Sequence, residues 1–446
     1  MGAIPGSIET DAGPPMAIPL RHFVVGLGFL VAAGVVGALA PLGVVPGRPT
    51  LAHLHLLLAG WACVTIMGAM TQFVPVWSGA TLHSRRLAAV QLPLVTAGIA
   101  GLVGSFLWGA YELLPAAGAL ALAGFWTFAY NVARTLVPVR PWDVTERHFA
   151  IALGFLGLAT LLGLALALSY ARPGLASFRA LVPPPVARPA LRAAHATLAV
   201  FGAVLTTVVG ALYQLGPMFT GSDPHGVDAP LRRIEELGYP VGVLALAAGR
   251  LSGNVLLGRV GALLVVAGLV AFGVVLARRL HESTVAWTPM LARYAVVAVA
   301  IPVWAAVAVP AWYADPVSPI AVFGPPELDV LLLLGVVGFV ILGTLYHVVP
   351  FIVWVHRYGD RLGFGDVPVI DDLYDDRLAT ADFALVLAGL GTLLLAALRG
   401  LPASAVAAGW ALAACGFLVF ATNMLLVVRD HGGRSLVGTV LPGTGG

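Results

Sequence analysis

Apolar residues in this chain come as long runs. Segments 51–76, 87–110, 149–169, 195–219, 262–277, 330–353, 384–398 and 406–428 are each long, or nearly long, enough to cross a bilayer as helix, which takes about 20 residues. Weaker runs follow His22, Leu113, Ile234 and Arg293, bringing the total to about twelve spans. The run at 238–251 is short, broken by glycine and interrupted by Arg250. The pattern predicts an all-α integral membrane protein.

Composition agrees: 59% of the residues are hydrophobic and 10% charged, which does not describe a soluble domain with a hydrated surface. Every basic residue is arginine, and with both termini inside, sixteen lie on the inner side and eight outside. This positive-inside bias predicts the cytoplasmic membrane of a prokaryote with both termini cytosolic. The net charge of +3 then reflects topology, with no nucleic-acid partner expected. The opening "MGAIPGSIETDAGPP" has neither a basic flank nor a small-residue cleavage pattern and reads as a short cytosolic tail. Cys63 and Cys415 fall in apolar runs and suggest no disulfide framework.

The runs repeat. "AHLHLLLAGWACVTIMGAMTQFVPVWSG" from Ala52 overlays "AHATLAVFGAVLTTVVGALYQLGPMFTG" from Ala194 at an offset of 142, matching His53 to His195, Gly60 to Gly202, Gly68 to Gly210, Gln72 to Gln214 and Pro75 to Pro217. A third copy places Gly335, Gly343, His347 and Pro350 in the same frame. "RHFVVGLGFL" from Arg21 returns as "RHFAIALGFL" from Arg147, and a fainter Arg293-Tyr294 opens a third block. Gly124, Phe128 and Asn131 correspond to Gly268, Phe272 and Val275, and to Gly416, Phe420 and Asn423. The chain therefore reads as one membrane domain, 1–446, of three pseudo-symmetric four-helix blocks, 17–142, 143–288 and 289–434. Glycines at matched depths let helices approach closely in lipid.

Three sets of four helices, a histidine opening span two and a Gly-x3-[Gln/His]-x2-Pro tail in spans two and ten resemble subunit I of the haem-copper oxidase superfamily, the cytochrome oxidase and nitric oxide reductase type. The resemblance covers most of the chain. His53 and Gly68 have the spacing of that family's span-two haem ligand and its glycine, and Gly343, His347 and Pro350 reproduce the span-ten tail. The chain also departs from the pattern. The span-ten histidines fall at Leu328 and Val330, Ala196 and Ala199 follow His195 where the family has proline and tyrosine, and span seven lacks an adjacent histidine pair. The resemblance thus implies no copper at the usual site and no complete centre for reducing dioxygen or nitric oxide.

Eight histidines, His22, His83, His148, His225, His281, His347, His356 and His431, lie at or near the inner side, most beside arginines at span ends. Apart from His347, they read as interfacial and water-exposed. His347 shares its frame with Gln72 and Gln214, and these three are expected to form a hydrogen-bonded polar layer tying the central helices together, or to line a proton or small-molecule path. His53, His55 and His195 form an outer cluster. His53 and His347 differ by about 28 Å in depth at about 1.5 Å per helical residue, so they do not share one haem. The outer histidines are either interfacial anchors or, with the family's low-spin site rotated by one block, a haem site: His55 and His195 as iron ligands and His53 nearby as a donor or alternative ligand. On that reading the chain is a membrane haem protein serving respiratory electron transfer or diatomic-gas binding, with a redox partner or other membrane subunits. The alternative is a haem-free scaffold, assembly partner or permeation subunit. Glu327 and Asp329 read as a hydrated helix start, and the acidic loop 356–383 as solvated or partner-docking.

Overall fold

The computed structural model describes residues 14–171, 188–361, 367–433 and 438. Residues 1–13, most of the segment read as a cytosolic tail, and 362–366 of the acidic loop lie outside the described residues. The protein is 85% helical, with no strand among the described residues. Among the described residues, eleven helices are long and apolar enough to cross a membrane: α1 Ala17–Leu42, α2 Pro49–Ser78, α3 Arg85–Trp108, α4 Tyr111–Val139, α5 Val144–Ala171, α6 Arg188–Thr220, α8 Val255–His281, α9 Pro289–Ala314, α10 Pro326–Arg361, α11 Asp376–Arg399 and α12 Ala403–His431. Between α6 and α8, residues 228–252 run on as a further helix, α7, with a charged start.

Arg250 does not break α7. Its guanidinium donates to the carbonyls of Pro316 and Val322 and to the Thr197 hydroxyl, and lies 5.3 Å from the centre of the Trp312 ring. The charge that interrupts the apolar run therefore holds the loop after α9 against α6 and α7. Ser84, Asn254, Thr288 and Asp375 accept backbone N–H groups at the starts of α3, α8, α9 and α11, relieving donors that helix geometry leaves unpaired. Gly79 and Gly221 end α2 and α6 at φ 63° and 60°, a left-handed conformation that favours glycine.

Helices adjacent in sequence pair most closely, α3 with α4, α7 with α8 and α11 with α12, while α12 with α1, α4 with α5 and α8 with α9 continue the packing between pairs. Small residues make the close pairs possible. A Cβ on Gly98 would come within 2.3 Å of the Ala121 nitrogen, one on Gly261 within 2.2 Å of the Leu246 nitrogen, and one on Gly389 within 2.7 Å of the Gly409 oxygen. Lipid supplies no hydrophobic drive between helices, so such approach is what packing rests on.

The helices α2, α6 and α10 share a feature that periodicity did not reveal. Each carries a π-helical segment, at His55–Cys63, Leu198–Leu205 and Leu331–Gly338, and each returns to α-helix at the same register, Val64, Thr206 and Phe339. Such segments insert a residue into the turn and are frequent at functional sites.

Candidate functional site

The α2, α6 and α10 helices enclose an apolar cavity of about 80 Å³, lined at matched registers: Thr65, Ala69 and Phe73 of α2, Thr207, Ala211 and Leu215 of α6, and Val340, Thr344 and Val348 of α10. The same helix face is presented three times. The Thr65 hydroxyl is buried without a hydrogen-bond partner, while Thr207 and Thr344 donate to carbonyls one turn back, Ala203 and Val340.

At one end of this axis stand the outer histidines. His53 and His195 make the same bond, Nδ1–H to the carbonyl of Ala33 at 2.9 Å and of Ala159 at 2.8 Å. Each ring lies against a glycine of the preceding block helix, Gly37 or Gly163. His55 gives its Nδ1–H to Leu51, 2.8 Å away, and packs on Phe106 at 5.1 Å. A carbonyl only accepts, so all three rings carry hydrogen on Nδ1 and present Nε2 as a bare acceptor. His55 and His195 are within electrostatic reach of each other.

The three histidines do not form one cluster. His53 turns to α1 and stacks edge-on against Trp410 of α12 at 4.5 Å, lining a separate cavity of about 330 Å³ with Asp329, Val330 and Leu334. Two residues along a helix turn the side chain by about 200°, which sends His53 and His55 to different neighbours. Asp329, read as part of a hydrated helix start, faces this cavity. Among the described residues, no group of three or more metal-ligating side chains occurs.

The inner histidines correct the sequence reading in two cases. His22 and His148, expected to be water-exposed, are buried, because α1 and α5 begin upstream of them and each Cβ packs over a central-helix glycine, Gly68 or Gly210. His83, His225, His281 and His356 are exposed, as expected. The glycine contact also shifts the third block by one residue: Gly343 meets Arg293, so Arg293 stands in the histidine position.

Around these three positions lie polar triads that the sequence did not single out. In the first block His22 gives Nδ1–H to Ile18, and its Nε2 accepts from Gln91, which also donates to Thr71. In the second, His148 bonds Glu235 at 3.0 and 3.1 Å, with Tyr213 packed on its ring. In the third, Arg293 pairs with Asp382, which also accepts from Tyr346. Asp382, counted in the acidic loop, is thus fully buried. One clue was available: Thr71, Tyr213 and Tyr346 each precede a member of the frame Gln72, Gln214 and His347.

That frame does not join into a hydrogen-bonded layer. Among the described residues no bond links Gln72, Gln214 and His347; the Gln72 carbonyl is buried unpartnered. His347 instead packs on Phe219 of α6 at 4.5 Å, and Gln214 lines a small pocket with Trp77 of α2. Each addresses the neighbouring central helix, and the polar links run one residue earlier.

No protein-family model and no curated protein matches the chain.

Proposed function

We propose that this chain is a multi-pass membrane haem protein of the oxidase subunit-I type, built as twelve spans in three blocks about the central cavity, in the cytoplasmic membrane of a prokaryote with both termini inside. One observation carries the reading. In the repeat read from the sequence, the register of His55 pairs with that of His195, which would set His55 with His195, Thr197 with Leu328, and Val330 with His53 at the three junctions; His55 and His195 interact electrostatically, and His53 and Val330 line one cavity. The first junction alone offers two imidazoles. Both have Nδ1–H given to a carbonyl, the arrangement that fixes the tautomer and orientation of a metal-bound histidine and leaves Nε2 free for iron. Both side chains are partly buried.

On this reading His55 and His195 would hold a low-spin haem at this junction. Such a group would supply one-electron transfer. His53 stands outside the site, bound to Ala33 and facing the other cavity. The second junction is filled: Arg250 bonds Thr197, and Trp312 and Trp304 pack on Phe201. A copper ion is not part of the proposal.

A haem-free permeation or scaffold subunit is the second reading, favoured by the mostly apolar central cavity, whose walls suit a small apolar molecule. The visible absorption spectrum of the purified protein separates the two. A Soret band with six-coordinate low-spin character is expected, and a correctly folded, haem-free protein purified from haem-replete cells overturns the first reading.

A further inference from the structure

The same place in each block holds a different charge state. His22 with Gln91 is neutral: both imidazole nitrogens are engaged, one giving hydrogen to Ile18 and the other accepting from the amide. Arg293 with Asp382 is an ion pair whose cation is permanent, since arginine does not lose its proton in proteins. His148 with Glu235 is the titratable member. His148 Nδ1 lies 2.7 Å from the Val144 carbonyl, so it carries hydrogen, and a hydrogen bond between Nε2 and the carboxylate needs one proton between them. The two side chains are 2% and 0% exposed.

We infer that His148 and Glu235 form a proton-binding site served from the arginine-rich end of the bundle. The pair holds one proton at rest and is neutral overall. A second proton, taken from water, bonds to a Glu235 oxygen, leaving imidazolium beside carboxylic acid; release is the reverse. Tyr213 stands beside the carboxylate: its buried hydroxyl makes no hydrogen bond of ordinary length but is close enough to Glu235 to interact with it by hydrogen bonding as well as by charge, and its ring stands 5.7 Å from His148. A cavity of about 20 Å³ lies near the start of α5, lined by Asp143, Thr145, Glu146 and Gln214 together with Val74, Trp77 and Phe149. That is room for about one water, with polar partners to hold it.

The charges facing the pair come from every neighbouring helix. On α5, Arg147 pairs with Glu236 of α7 at 2.9 Å, nearer the surface, and Asp143 and Glu146 cap the helix start. Arg232 and Tyr239 face it from α7, the Tyr239 hydroxyl being committed to the Phe201 carbonyl at 2.7 Å. Arg279 approaches Tyr213 from α8 and is held by Asp228 at 3.3 Å. Arg147 and Arg279 are therefore paired with other carboxylates, and Glu235 has His148 as its bonded partner.

The test is infrared difference spectroscopy of the full chain in lipid nanodiscs between acid and alkaline pH. Wild type is expected to show a protonated-carboxyl band with a single titration midpoint, absent in Glu235→Gln and retained in Asp382→Asn. Tyr213→Phe, a milder change, should displace the midpoint. Where Glu235→Gln does not fold, His148→Gln serves, and the midpoint should move by at least one pH unit. In oriented proteoliposomes under a pH gradient the band should follow the pH on the Arg147 side. An unchanged band in Glu235→Gln, a midpoint unmoved by both other substitutions, or a band that follows the Arg250 side overturns the proposal.

Discussion

Arg293 and Asp382 are ion-paired at 1% and 0% exposure, with no other charged side chain bonded to either. Removing one partner strands the other charge in a low-dielectric interior. Asp382→Asn or Arg293→Gln should cost about 3–5 kcal/mol of stability, read from reversible unfolding in mixed micelles. Replacing both together, with Met at 293 and Leu at 382, should recover most of the loss. Equal losses in single and double variants would mean that the pair contributes through packing alone.

The haem proposal makes a residue-level claim. His55→Ala and His195→Ala should each abolish the low-spin spectrum, whereas His347→Ala and His53→Ala leave it intact. Gly163→Val offers a gentler probe. A Cβ there already lies 3.1 Å from His195 Cε1, so the larger side chain should tilt the imidazole and alter the spectrum while haem stays bound. Retention of the wild-type spectrum in both alanine variants would refute the assignment.

The central cavity is small and mostly apolar, and apolar cavities of this kind stay empty of water and admit xenon. Xenon should bind at one site in detergent-solubilised protein, detected by xenon magnetic resonance. Ala211→Leu, which adds three carbons to the cavity wall, should remove the signal, while Leu263→Ala on the exposed surface of α8 should not.

Topology follows from the arginine count. Reporter fusions after residues 140 and 285 should both read as cytoplasmic, and an external signal at either breaks the twelve-span arrangement.

The helices were legible because burial in lipid forces long apolar runs, and glycines mark places where backbones touch. What the sequence hid was direction around each helix. His53 and His55 looked like one cluster because they are two residues apart, yet that spacing turns them to different neighbours. Gln72, Gln214 and His347 drew notice as polar residues in apolar runs, while the partners of the buried charges stood one position earlier, where a threonine and two tyrosines read as ordinary core. Glu235 and Asp382 were hidden differently: each lies at a helix start among other acids, and only the fold shows that it is inside.

The π-helical segments of α2, α6 and α10 bear on how such a molecule changes over time. Each sits between an outer half-helix carrying the histidine positions and an inner half carrying the triads, and each extra residue advances the inner half by about 100° relative to an unbroken α-helix. The segment is an angular joint, setting the phase of one half against the other. Two chemistries along one helix can thus be aimed independently, and a one-residue deletion within Leu198–Leu205 would turn Tyr213 away from Glu235 while leaving His195 on Ala159. Substitutions tune a site in place, whereas a gain or loss of one residue at these joints re-aims it.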